Sequence, residues 1–162
     1  MIRVQKHDFD IGAEIESLRA GRTDIGAIVS FTGTVRDTAP HGEDKGAPIT
    51  QMTLEHYPGM TEKELERIEG EANERWPLQG SLIIHRFGPM KPGENIVLVI
   101  TASAHRRAAF EAAQFLMDYL KTDAPFWKKE AGPDGSGGDW VDARESDDDA
   151  HKRWDTPDGS TN

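Results

Sequence analysis

HRRAAFEAAQFLMDYLKTDAPFWKKE, residues 105–130, reads as one long helix, a proline stop and a short strand. Ser103 stands where an N-cap is wanted. Ala108, Ala109, Phe110, Ala112, Ala113, Phe115, Leu116, Met117 and Leu120 make the helix apolar around much of its girth. Such a helix packs on more than one side. Pro125 ends it, because the residue before a proline avoids the helical region. A helix of this kind is central to the fold, and the other elements must be arranged to cover it.

Its polar residues are unusually placed. His105, Arg106 and Arg107 put cations in the first turn, where the helix dipole favours anions. That arrangement suits a site that holds something negative, since the free N–H groups of a helix N-terminus also bind anions. At the other end, Lys121 follows Met117 by four residues and Gln114 by seven, so the three share one face. The Lys121 stem is expected to be buried there, with its ammonium facing a pocket. Lys128 and Lys129 come after the turn and point to opposite sides of a strand, so at most one of them joins Lys121. Taken singly, each cation is an ordinary solvated charge; together they form a candidate anion pocket.

With 162 residues the chain is long enough for one domain with a real core. The expected division is a single catalytic domain over residues 1–150, with a flexible loop near 37–48, and an acidic, largely disordered tail over 151–162. No apolar run approaches the ~20 residues of a membrane span, and MIRVQKHDFD lacks a signal-peptide core, so the expected location is cytoplasmic. The formal net charge of −10 is uneven: residues 132–162 hold nine acids against three Lys and Arg. Phosphate backbones are repelled by such a surface, which argues against a nucleic-acid partner. The chain has no cysteine. It can therefore carry no thiolate nucleophile, persulfide or Cys-bound metal. Neither His56 nor His85 falls at a local metal-ligand spacing, so no metal is expected. No phosphate-binding glycine motif is present and no cofactor is expected.

Taken in order, residues 2–9 read as a strand and 11–20 as a short helix with weak caps. Residues 25–35 are β-branched and read as a buried strand. Gly26 and Gly33 mark a bulge or a close backbone approach. Residues 49–57 read as a strand. Thr61 with Glu64 gives a capping-box pattern for a helix to about residue 75. Residues 81–87 read as a strand in which His85 is packed rather than a ligand. Gly88-Pro89 and Pro92-Gly93 bracket a turn, and 94–102 is the most hydrophobic strand and should be central. Trp140-Val141 reads as a short strand, and Trp154 is an aromatic that must dock somewhere. Three helices and six to eight strands in mixed order make an α+β class with antiparallel hairpins.

Several long motifs resemble one family. AHRRAAFEAAQFLMDYLKTDAPFWKKE (104–130), FTGTVR (31–36), LEHYPGM (54–60), IHRFG (84–88), WVDARESD (140–147) and KRW (152–154) resemble the catalytic (large) subunit of molybdopterin synthase. The resemblance runs from about residue 25 to 154 in the same order. It implies an α/β-hammerhead-like fold with an additional small antiparallel sheet. It implies a homodimer within a heterotetramer, with a small ubiquitin-like sulfur-carrier subunit at each end. It also implies transfer of two sulfurs from that partner's C-terminal Gly-Gly thiocarboxylate to cyclic pyranopterin monophosphate, giving molybdopterin.

Carried over by motif, Lys121 in YLKT and Lys128 in FWKKE match the family's catalytic lysines. Lys121 would act as general acid/base or stabilise the acyl intermediate, and Lys128 would hold the thiocarboxylate carbonyl. Arg36 would pair with the tail or substrate. His105 and Arg106 match the substrate-phosphate site, with Arg144 contributed across the dimer, and Phe31 and Met117 would line the channel for the partner's tail. Thr34 stands where many members carry Lys, which makes the pocket rim less basic. Two rival readings are a non-catalytic adaptor that clasps a ubiquitin-like tail and a Lys-dependent thioester hydrolase. Both lysines together with the HRR helix start favour the sulfurtransferase.

Overall fold

In chain order the elements are β1 (Ile2–Gln5), α1 (Ile11–Arg19), β2 (Ala27–Thr34), β3 (Gln51–His56), α2 (Met60–Arg75), β4 (Leu78–Arg86), β5 (Gly88–Met90), β6 (Asn95–Ser103), α3 (Arg106–Thr122), β7 (Phe126–Ala131), β8 (Val141–Asp142) and a 3₁₀ turn (Lys152–Trp154). This computed structural model describes residues 1–39, 45–135, 138, 140–142 and 152–154.

β6 is buried from Val97 to Ser103 and lies inside a four-stranded sheet ordered β1-β4-β6-β2. It is central, as its hydrophobicity requires. β1 runs parallel to β4, whereas β4 and β2 are antiparallel to β6. Alternate residues of β6 serve opposite faces. Leu98 and Ile100 meet Ile11, Ile15 and Leu18 of α1. Val97 and Val99 meet α2 and α3 through Leu65, Ile68, Phe115, Leu116 and Leu120. A second sheet, ordered β5-β3-β7-β8, is antiparallel throughout. Val35, Met52, Leu54 and Met90, with Ile96 packed against them, bury its junction with the first sheet. The α+β class and the additional small antiparallel sheet are both present.

α3 buries residues on several sides, including Ala109, Ala112, Phe115, Leu116 and Tyr119. Phe110 departs from this and is exposed.

The folded chain departs from the local signals in four places. Ser103 does not cap α3: it ends β6, its hydroxyl donates to the Pro77 carbonyl, and His105 takes the cap position. The α2 box sits two residues earlier than Thr61–Glu64, with Glu62 accepting from the Gly59 N–H. Thr61 is buried instead, accepting from the Tyr57 N–H and donating to the Pro125 carbonyl. α1 is well capped, since the Asp10 carboxylate accepts from the Ala13 N–H at 2.8 Å. The bracketed turn at residues 88–93 contains a further strand, β5, which is too short to show a period.

The ends of the 37–48 loop are zipped together. Thr38 bridges Pro48, the Ala39 N–H reaches the Ala47 carbonyl, and the Ile49 N–H reaches the Asp37 carbonyl. Trp154 docks on the core against Trp76 and Phe115. No described helix is long and apolar enough to cross a membrane.

Candidate active site

α3 runs back along β6, with the Thr101 hydroxyl donating to the Ala109 carbonyl near its start and Leu116 and Leu120 packed with Val97 and Val99 near its end. Its two ends therefore lie at opposite ends of the sheet.

At the first end, Gly26 makes the crossing possible. Its N–H donates to the Ser103 carbonyl at 3.1 Å, and a Cβ there would sit 2.2 Å from the Ala104 carbonyl oxygen. His105, Arg106 and Arg107 are exposed. Arg107 is bound to Glu111 at 2.8 Å, and Glu111 also accepts from the Trp76 indole at 2.9 Å. The Arg107 guanidinium holds the Glu111 carboxyl below its ordinary range. Arg107 is thus engaged within the helix, and His105 with Arg106 form the outward-facing pair.

At the other end, a tight turn joins Lys121 to Lys128. The Asp123 N–H donates to the Tyr119 carbonyl at 2.8 Å, and the Asp123 carboxylate meets Arg67 of α2 at 3.2 Å. Ala124, Pro125 and Phe126 are buried, and Thr61 of α2 bonds the Pro125 carbonyl at 3.3 Å. Lys128 is half-buried in β7 opposite Leu54 and Val141, with its Nζ 3.3 Å from Glu130 Oε1. Alternation along β7 puts Lys128 and Glu130 on one face, which is the signal in the sequence for that pair. Lys121 is exposed, and Met117 beside it is half-buried. The expected burial of the Lys121 stem does not occur among the described residues: Asp118, Tyr119, Leu120 and Thr122 around it are buried, and Lys121 itself is exposed.

Below the turn, His85 stacks on Phe126 at 3.7 Å, and its Nδ1 lies 3.0 Å from the Arg86 carbonyl oxygen. Burial pushes its pKa down to about 4, with the charge of His56 acting in the same direction. His85 is a packing residue, as expected.

Arg36 belongs to the Lys121 end. It follows Val35, which is tied to the start of β6 by hydrogen bonds to Glu94 and Gly93. Phe31 lies opposite Val99 on the α3 side of β2 and is 40% exposed. Its ring lies beside Gly33, where a Cβ would be 2.8 Å from Val97 Cγ1. Phe31 and Met117 therefore stand on the same side of the sheet. Arg144 lies outside the described residues.

The structure thus places Arg36, Lys121 and Lys128 at one end of the sheet and separates His105 and Arg106 from them. At 1.5 Å per residue, the 16 steps from His105 to Lys121 span about 24 Å along α3. A single phosphate site cannot take both sets from one chain.

Exposed cations thus stand at both ends of a core helix in an α+β scaffold without cysteine. The family is specific: the MoaE protein family model matches residues 4–123, and the chain belongs to that family. It is similar to the "Molybdopterin synthase catalytic subunit" of Mesorhizobium japonicum, with 60% identity covering 94% of this chain and 92% of that protein. The protein of the same name from Escherichia coli K12 is 53% identical, covering 94% and 97%. Among solved structures, a molybdopterin biosynthesis MoaE protein from Burkholderia ambifaria matches with TM-score 0.80 and 50% identity over 97% of this chain and 99% of that one. A molybdopterin synthase from Staphylococcus aureus matches with TM-score 0.74 and 31% identity over 86% and 95%.

Proposed function

We propose that this chain is the catalytic subunit of a molybdopterin synthase, working in the cytoplasm. It moves sulfur from the C-terminal Gly-Gly thiocarboxylate of a small ubiquitin-like subunit to cyclic pyranopterin monophosphate. The observation that carries this reading is the pinned turn between Lys121 and Lys128, in a chain of this family with no sulfur-bearing nucleophile of its own.

In each transfer the thiocarboxylate sulfur bonds to a carbon of the pterin as a carbon–oxygen bond at that carbon breaks, the oxygen leaving with a proton or with the phosphate, which gives an acyl thioester. Water then takes up the acyl group, so the partner's tail leaves as an ordinary carboxylate. Lys128, steadied by Glu130, holds the carbonyl oxygen and stabilises the negative charge that develops on it. Lys121 gives and takes the proton at the reacting centre. Arg36 pairs with the anionic tail or substrate, since guanidinium binds oxyanions bidentately. Phe31 and Met117 form the apolar wall along which the tail lies.

His105 and Arg106 bind the pterin phosphate. The length of α3 puts them out of reach of Lys121 in their own chain, so they serve the site of a second copy. The working form is then a homodimer with one small subunit at each end, and Arg144 is likewise given to the neighbouring site.

The test is mass spectrometry on the purified chain mixed with thiocarboxylated small subunit and the pterin. The expected result is loss of sulfur from the partner and a gain of two sulfurs by the pterin. Binding without transfer would establish an adaptor, and release of sulfide with unchanged pterin a hydrolase; either sinks this reading.

A further inference from the structure

Trp154 reaches the core from a short turn 36 residues beyond its main polar contact. Its ring lies edge-on to Trp76 and to Phe115, with centroids 5.7 and 5.4 Å away. Its indole N–H donates to Asp118 Oδ2 at 2.8 Å, and Arg153 Nε lies 3.5 Å from the same oxygen. Arg75 donates to the Trp154 carbonyl at 3.1 Å while packing over the Phe115 ring at 4.9 Å.

Asp118 is a buried carboxylate on α3, one turn from the buried Phe115 and Thr122. Such a group needs donors, because burial removes its water. Both side-chain partners described for it come from the turn at residues 152–154. Asp118 also stands three residues before Lys121, in the last turn of α3, where its carbonyl accepts from the Thr122 hydroxyl at 3.0 Å. Arg67 grips the same turn from α2 through Asp123. Ring burial alone would explain Trp76 and Phe115. It would not explain an indole N–H directed at an acid in the turn that bears Lys121.

We propose that Arg153 and Trp154 form a clasp that positions Lys121, with Trp154 acting through Asp118 on the last turn of α3. This rests on the catalytic reading of Lys121. Trp154 is a positioning residue and touches no substrate. A displacement near 1 Å at the reacting group is enough to matter, since misplacement of that size can cost about 10²-fold in rate.

Trp154→Phe keeps a ring in place and removes the N–H. In the full complex with thiocarboxylated partner and pterin, kcat is expected to fall by about tenfold or more with KM nearly unchanged. Amide exchange should quicken selectively at residues 119–123. Asp118→Leu combined with Trp154→Phe removes the orphaned carboxylate, so thermal stability should return while kcat stays low. Recovery of kcat together with stability would show a merely structural role and overturn the clasp. Exchange that is unchanged, or that rises uniformly along α3, would also overturn it. Lys121→Ala is measured alongside: normal turnover there would remove the catalytic reading, while the exchange pattern judges the clasp separately.

Discussion

Lys121 is the residue on which the chemistry turns. A lost acid–base group usually costs on the order of 10²-fold or more, so Lys121→Ala should lower turnover by that scale. Lys121→Arg should rescue little, because guanidinium keeps its charge but does not release a proton near neutral pH. Stability should hardly change, since the side chain is exposed and leaves no core cavity. Near-normal turnover in Lys121→Arg would mean that charge alone suffices. His85 makes a different kind of prediction. Burial lowers its pKa from 6.5 to about 4, so the folded state binds fewer protons than the unfolded one between those values. Stability from this group is complete above pH 6.5, falls as pH drops toward 4, and is then flat. The loss is at most about 3 kcal/mol. Urea unfolding of His85→Phe across pH 4–7 should lack that slope; an unchanged slope would place its origin in other groups.

At the scale of elements, helix ends do most of the positioning. α1 covers the face of the sheet opposite α3, and its start depends on the Asp10 carboxylate at the Ala13 N–H. Asp10→Ala should cost about 1 kcal/mol, read as a lower melting temperature with activity intact. α2 matters at its first turn and at its middle. Its buried Thr61 ties the Pro125 carbonyl, and its Arg67 holds Asp123. The turn between the two lysines is thus fixed by a helix that carries neither.

For the whole molecule, the length of α3 is decisive. His105 and Arg106 lie about 24 Å along the helix from Lys121. If the site is shared, an Arg106→Ala chain and a Lys121→Ala chain should complement each other. In isolated mixed dimers one of the two sites is intact, so activity should return to about half of the wild-type value. No recovery in dimers shown to be mixed would mean that each site is built within one chain.

Much of this was legible in the residues themselves. The hydrophobic run of β6 and the apolar girth of α3 are local periodicities, and burial enforces them wherever they occur. The absence of cysteine restricts the chemistry without any fold. The motifs around Lys121, Lys128 and Arg36 carry the family's pattern in the residues alone. Other features depended on pairing between distant segments. Ser103 and Thr61 look like caps in isolation, but each has a neighbour brought by packing that takes its hydroxyl: the Pro77 carbonyl for one and the Pro125 carbonyl for the other. β5 has three residues and becomes a strand only because β3 offers it an edge. Trp154 was expected to dock, but only the folded chain shows that its partner is Asp118. The separation of His105 and Arg106 from Lys121 is of the same kind. A sequence motif places residues 105–130 together on the page, whereas a rigid helix holds its two ends apart.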